Sequence, residues 1–369
     1  MRRWTEEFRE LETAGETWFA GANTERGFVG CYADMANEGE LERLYIVKGG
    51  PGTGKSTLIR EAAEAAERAG FPVTRYLCGS DPESLDGAVF DGRIAVVDGT
   101  APHTLDMDFP GAASELFDCS HFWDGGMLEA RREEIVFHGE AKREAYRGAY
   151  RYLAAAGKLL AEEEALAAEC FDFDKAARAV QRLAKKIRPG TGNHGEKRTL
   201  RRFTHAVTMR GNCFVPTLTA EAESVYAVED AMGTAPLFLN LLEGVLAEEG
   251  IPHLVGMFPI GGRISGIRAG AAAFRYREAR EGEIPIRMTR FLTGDASLRG
   301  RLRLAEKIAG SALDGAVSRL SGAADHHFAL EEIYKSAMDY GRLAEYRRIK
   351  AEEIVSRLGK PAAGKRRGR

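Results

Sequence analysis

The segment Gly49-Gly50-Pro51-Gly52-Thr53-Gly54-Lys55-Ser56 carries the strongest chemical signal in this sequence. It fits GxxxxGK[ST], the phosphate-binding P-loop. Glycines let a backbone curl until its N–H groups converge on phosphate oxygens. A helix that starts directly behind the loop adds unpaired N–H groups and the positive end of its dipole. In such a frame Gly49 through Gly54 and Thr57 surround the phosphates. Lys55 reaches the β- and γ-phosphates, and Ser56 offers its hydroxyl to Mg2+. Further on, Arg93-Ile94-Ala95-Val96-Val97-Asp98 is an apolar run ending in a carboxylate. A buried parallel strand of this kind would place Asp98 beside the loop as a second Mg2+ holder.

Two more groups suit phosphate chemistry. In Cys78-Gly79-Ser80-Asp81-Pro82-Glu83, Asp81 or Glu83 could orient a water or take a proton from a hydroxyl. The same string also reads as an Asp-Pro turn with a helix cap. In Gly99-Thr100-Ala101-Pro102-His103, Thr100 or His103 could sense a γ-phosphate, or His103 could simply make local loop hydrogen bonds.

The elements needed to hold these residues are legible. Leu44 to Val47 is a short apolar run, a strand ending at the loop. Lys55 to Arg68 has helical spacing of Leu58, Ile59, Ala62, Ala65 and Ala66, and Gly70 stops it. FPVTRYLC and RIAVVD read as a second and third strand. Strand–helix–strand at this spacing predicts a parallel sheet with right-handed crossovers. The expected class is therefore α/β: a P-loop NTPase of three αβα layers with a mainly parallel sheet, plus helical segments. Residues 128–187 read as mostly helical. Residues 188–198 combine Pro189, three glycines and basic residues in the manner of a linker.

An internal repeat organises the rest. Phe19, Ala22, Thr24, Arg26 and Gly27 match Phe203, Ala206, Thr208, Arg210 and Gly211. Tyr45, Val47, Gly52 and Thr53 match Tyr226, Val228, Gly233 and Thr234, and Asp172 matches Asp339. The shared order predicts a duplicated unit: a nucleotide-competent P-loop domain over 15–187, the linker over 188–198, a degenerate copy over 199–358, and a basic tail over 359–369. In the second copy Asp230, Ala235, Pro236 and Leu237 replace Gly49, Gly54, Lys55 and Ser56, so no nucleotide is expected there. Asp98 falls opposite Glu278 in this alignment. Arg263, Arg268, Arg275 and Arg277 read first as solvated arginines, with reach toward a phosphate as the sharper alternative.

Together, KGGPGTGKST, CGSDPESLDG and VVDGTAPH resemble the motifs of an uncharacterised bacterial family of P-loop ATPase-like proteins with two tandem P-loop units. The resemblance covers the first half and implies the fold and an ATP site, but no pathway. Members of that family often look competent in both halves, so the loss in the second copy argues against a two-site alternating mechanism here.

Composition bounds the remaining choices. The 369 residues suggest two domains, and 44% hydrophobic with 29% charged residues is an ordinary globular balance. No apolar stretch approaches the length of a membrane span, and the N-terminal MRRWTEEFRE turns acidic where a signal peptide would be apolar, so the expected location is the cytoplasm. Five cysteines without a CxxC spacing argue against a disulfide framework or a zinc site. The net charge is −3, and the five positive charges of the last ten residues leave the remaining chain at −8. The leading expectation is an ATPase that uses ATP and Mg2+ to drive a conformational change. Alternatives are a small-molecule or nucleotide kinase, and a nucleotide-dependent switch touching nucleic acid through the basic tail, which otherwise reads as a solvated segment. A protein partner or homo-oligomer is compatible with either.

Overall fold

A computed structural model describes residues 8–36, 41–101, 104–187, 199–293 and 298–361. The expected linker and nearly all of the basic tail lie outside them. The chain divides into two compact units that are interleaved in sequence rather than following the contiguous spans 15–187 and 199–358. One unit holds Ala14–Gly21, Phe28–Arg147 and the described part of Arg319–Arg369; it is called here the Lys55 unit. The other, the Asp230 unit, holds Ala22–Gly27, Gly148–Ser318 and the described part of Met1–Thr13.

The sheet of the Lys55 unit comprises β1 (Glu16–Phe19), β2 (Arg43–Lys48), β3 (Val73–Leu77), β4 (Leu85–Phe90), β5 (Ile94–Asp98) and β6 (Ser114–Asp118), with α1 (Lys55–Arg68) after β2. Its order is β1-β3-β4-β5-β2-β6. Every pairing is parallel except those of β4, which is antiparallel to both neighbours. The class is α/β with a mixed sheet in which parallel pairings prevail, so the expectation of successive parallel strands missed β4. All six residues of β4 are buried, so it lacks the polar–apolar alternation that marks a half-exposed strand.

The Asp230 unit contains β7 (Thr199–Phe203), β8 (Ser224–Glu229), β9 (His253–Met257), β10 (Ile264–Ala269), β11 (Ala272–Tyr276) and β12 (Ile284–Arg287). Its order is β7-β9-β10-β11-β8-β12, again with only the third strand, β10, antiparallel to its neighbours. A helix, α4 (Ala235–Glu248), follows β8 as α1 follows β2.

Helices close each core. In α1 the buried face is Leu58, Ile59, Ala62, Ala63 and Ala66, and each large aliphatic side chain buried there contributes ~1.5–3 kcal/mol. The helix laid on it is α6 (Tyr340–Leu358), from the far end of the chain; its Ile354 and Leu358 join Tyr45, Leu58 and Phe117 in one core. The helix laid on α4 is α3 (Phe173–Ala184), from the first half, through Ala176 and Val180 against a core that includes Phe238 and Leu242. The long helices α2 (Arg132–Glu169) and α5 (Leu298–Ser336) carry the chain from one unit to the other.

The contacts that seat these helical hairpins match one for one. Asp339 N donates to Phe122 O at 2.7 Å, and Asp172 N to Phe291 O at 2.8 Å. Asp124 N donates to Ala337 O at 2.8 Å, and Thr293 N to Cys170 O at 2.9 Å. Asp339 and Asp172 each cap the following helix, accepting Arg342 N at 3.0 Å and Lys175 N at 2.9 Å. Each half of the chain thus supplies the sheet of one unit and the closing hairpin of the other. No helix among the described residues is long and apolar enough to cross a membrane.

Candidate functional site

In the Lys55 unit the glycine-rich loop runs from the end of β2 into the first turn of α1, where Leu58 N donates to Gly54 O at 3.0 Å. The Thr53 hydroxyl braces the loop by donating to Gly50 O at 2.8 Å. Thr100, just past β5, ties the loop to the neighbouring strand. Its hydroxyl donates to Gly49 O at 3.2 Å and accepts from Gly49 N at 3.3 Å, while its own N–H donates to Asp98 Oδ1 at 2.8 Å. Lys55 Nζ donates to Gly50 O at 2.7 Å and to Gly49 O at 3.2 Å, and lies 3.7 Å from Asp98 Oδ2. Ser56 Oγ accepts the Leu85 N–H at 2.8 Å, which holds the start of β4 against the start of α1. Thr57 is half-buried on the same helical turn.

The residues expected at the phosphates therefore meet at one edge of the sheet: Gly49 through Thr57, with Lys55 and Ser56, facing Asp98 and Thr100. Asp81 is buried, and its Oδ1 accepts the Glu83 N–H at 3.2 Å while its carbonyl accepts Ser84 N at 3.0 Å. That is the turn-forming reading of the Asp-Pro string. Glu83 is exposed, and its main-chain oxygen accepts from Arg60 at 2.8 Å. His103 lies outside the described residues.

Asp86, absent from the expected set, is the addition the structure makes. In the β4–β5 ladder Gly87 pairs with Val97, so Asp86 and Asp98 are the next pair toward the loop edge. Asp86 is buried and accepts the Tyr32 hydroxyl at 2.7 Å. Burial, then the charge of Asp98, pushes its carboxyl up to about 7, against the opposing pull of Tyr32, Cys78 and Lys55. Burial and then Asp86 drive the Tyr32 phenol far above its ordinary range, and the same two causes raise the Cys78 thiol. The signal in the sequence was the acid in Ser84-Leu85-Asp86-Gly87, hidden because Asp86 sits inside an otherwise apolar strand. Lys142 on α2 also senses this site. Burial lowers its pKa, and Cys78, Lys55 and Glu331 are among the charges acting on it.

The outer face of the loop is covered by the end of α5 and the start of α6. A Cβ on Gly50 would lie 2.6 Å from the Tyr334 ring, and one on Gly52, whose φ is +68°, would lie 2.9 Å from Glu331 O. Both positions need glycine for close approach, and Gly52 needs it for its backbone as well. The Tyr340 hydroxyl donates to Gly52 O at 3.0 Å.

The equivalent loop of the Asp230 unit keeps the brace but has Pro236 and Leu237 where the first loop has Lys55 and Ser56. Thr234 donates to Ala231 O at 2.7 Å, as Thr53 does to Gly50. The Asp230 carboxylate accepts Ala235 N at 2.6 Å and Gly233 N at 3.0 Å, so the N–H groups at the start of α4 already serve an anion of the chain itself. Since Gly266 pairs with Arg275 as Gly87 pairs with Val97, Ser265 and Tyr276 stand where Asp86 and Asp98 stand. The counterpart of Asp98 is thus Tyr276 and not Glu278; the β9–β10 connection and the β10–β11 turn are each one residue shorter than the β3–β4 connection and the β4–β5 turn, and together they displace a linear alignment. Arg263 is buried against Glu163 at 2.8 Å, Arg275 pairs with Glu283, and Arg268 lies 3.5 Å from Glu221, all within this unit. Arg277 lies over the Phe214 ring. Of the four arginines, Arg263 and Arg268 are buried, against the solvated reading.

All five cysteines are free, and no group of three or more metal-ligating His, Cys, Asp or Glu side chains occurs among the described residues. No protein-family model matches the chain, and neither a curated protein nor a solved structure matches it.

Proposed function

We propose that this chain is a Mg2+-dependent, ATP-binding P-loop NTPase that hydrolyses ATP, built from two copies of one αβα unit of which only the Lys55 copy retains phosphate chemistry. The observation that carries the reading is the convergence of a glycine loop, the N-terminus of α1, Lys55, Ser56 and Asp98 at one sheet edge. The duplication is supported by the equal strand orders and by hydrogen bonds that recur at the spacing of the sequence repeat. Thr24 donates to Gly27 O at 2.7 Å, as Thr208 does to Gly211 O at 2.7 Å.

The residues fit Mg2+. Ser56, Asp98 and Asp86 offer hard oxygen donors, and two buried carboxylates side by side are relieved by a cation between them. Bound there, Mg2+ would neutralise charge on the phosphate oxygens. The chain supplies the rest. Loop N–H groups orient the phosphates, and Lys55 exchanges the carbonyls of Gly49 and Gly50 for phosphate oxygens. Asp86, fixed by Tyr32, would join Asp98 in holding the metal. The guanine-reading Asn-Lys-x-Asp string is absent from the sequence, which favours adenine. In the Asp230 copy the internal carboxylate and the loss of lysine favour no nucleotide.

The test is phosphate release from ATP and Mg2+ without any added acceptor, together with equilibrium binding of a fluorescent ATP analogue. Lys55→Ala should abolish both. A wild-type signal no greater than that of Lys55→Ala sinks the proposal. Transfer of label from γ-labelled ATP to a metabolite, in place of phosphate release, would make the chain a kinase.

A further inference from the structure

We infer that the α5–α6 elbow, Glu331 to Leu343, is a sensor of loop occupancy that reads the P-loop from its outer face; the inference rests on the nucleotide reading of that loop. Three loop glycines are faced by it in turn. Tyr334 packs on Gly50, Glu331 on Gly52 and Leu343 on Gly54, with gaps so short that an added Cβ would meet these residues at 2.6, 2.9 and 2.9 Å. A direct hydrogen bond from elbow to loop, Tyr340 hydroxyl to Gly52 O at 3.0 Å, engages a carbonyl. A loop that turns its N–H groups inward to phosphate turns such carbonyls outward. The two faces of the same peptides are thus used by two different readers.

The elbow is held firmly on its other side. Asp124 N and Phe122 O pair with Ala337 O and Asp339 N, and the Trp123 ring meets the Tyr334 ring edge-on at 5.7 Å. Arg347 on α6 bonds Glu61 on α1 at 3.0 Å. A shift of the loop therefore cannot be absorbed by slack between loop and elbow. The trigger is also present. Lys55 Nζ donates to the carbonyls of Gly49 and Gly50, so a phosphate that recruits Lys55 takes its protons from the peptide against which Tyr334 packs. The change in Lys55 partners is the differential contact that lets a ligand bias the elbow.

Hydrogen–deuterium exchange of the full chain, with and without Mg2+ and the nonhydrolysable analogue AMP-PNP, tests this. Affinity for the analogue is measured in parallel. Expected is an exchange rate in 331–343 slowed by about threefold or more on binding. Tyr340→Phe should bind with affinity within about threefold of wild type yet lose most of that slowing, because it removes only the hydroxyl of a partly exposed side chain. Tyr334→Leu, which keeps an apolar side chain on Gly50, should weaken the response in the same direction. Binding by wild type with exchange in 331–343 unchanged overturns the sensor, as does a full response in both variants. Absence of binding by wild type overturns the nucleotide reading itself and the sensor with it.

Discussion

Replacing Asp86 by Asn should make the protein more stable at pH 8 while leaving its stability at pH 4 almost unchanged. Asp86 is 5% exposed, so solvent screens it little. Its carboxyl rises from the ordinary 3.8 to about 7, chiefly through burial and then through Asp98. A raised acid binds its proton more tightly when folded, so folding is favoured below 3.8, and the advantage is lost as pH climbs through 7. Three units at ~1.4 kcal/mol each give an upper bound of about 4 kcal/mol lost between those limits. Asn carries no charge to lose, and its Oδ1 can still accept the Tyr32 hydroxyl. Urea unfolding in EDTA at half-unit steps from pH 4 to pH 8.5 measures the effect. Wild type should fall in stability between pH 5 and 8, the variant much less, and adding Mg2+ at pH 8 should recover stability in wild type alone. Parallel pH curves for the two proteins would falsify the reading of Asp86 as a buried acid whose carboxyl is raised by its surroundings.

Other outcomes follow from the same geometry. Asp98→Asn should weaken Mg2+-dependent analogue binding at least tenfold, read by titrating Mg2+ at fixed analogue; an unchanged Mg2+ midpoint would contradict its role. Asp230→Ala removes an acceptor from two N–H groups at the start of α4 and should cost ~1–2 kcal/mol in urea unfolding, with analogue affinity unaltered. Arg263→Ala leaves Glu163 buried without its cation and should cost ~3–5 kcal/mol, whereas Arg263→Ala with Glu163→Leu should recover much of the loss. Equal instability of the single and double variants would show that the pair acts by volume alone.

The parts of the site written in local pattern were legible. The helix read over Lys55 to Arg68 has those bounds in the structure. The strand ending at Asp98 follows from its apolar run, and the matched Gly-Thr pairs mark Thr53 and Thr234 as equivalent positions, though not the loop braces that their hydroxyls form. Asp86 was not legible because a strand buried on both faces has no periodic signature. Tyr276 was missed because one residue is deleted in each of the two connections flanking β10, which shifts the alignment. The pairing of α6 with α1 had no local signal at all. Both helices show ordinary amphipathic faces, and nothing in either names its partner across some 280 residues, as between Arg347 and Glu61.

The exchanged hairpins have a consequence for the birth of the protein. The core that holds Tyr45, Leu58 and Phe117 includes Ile354 and Leu358, which a ribosome adds long after the strands they cover. At ~5–20 residues per second, the stretch from Phe117 to Ile354 takes on the order of 10–50 s to synthesise. For most of that interval the glycine-rich loop has no Tyr334, Tyr340 or Leu343 behind its glycines, and the apolar face of α1 waits for α6. The nascent first half therefore needs shielding, and the loop reaches its final form only after α6 has been made. A stop codon anywhere before α6 would remove a wall of the first unit, although the P-loop motif itself would be intact.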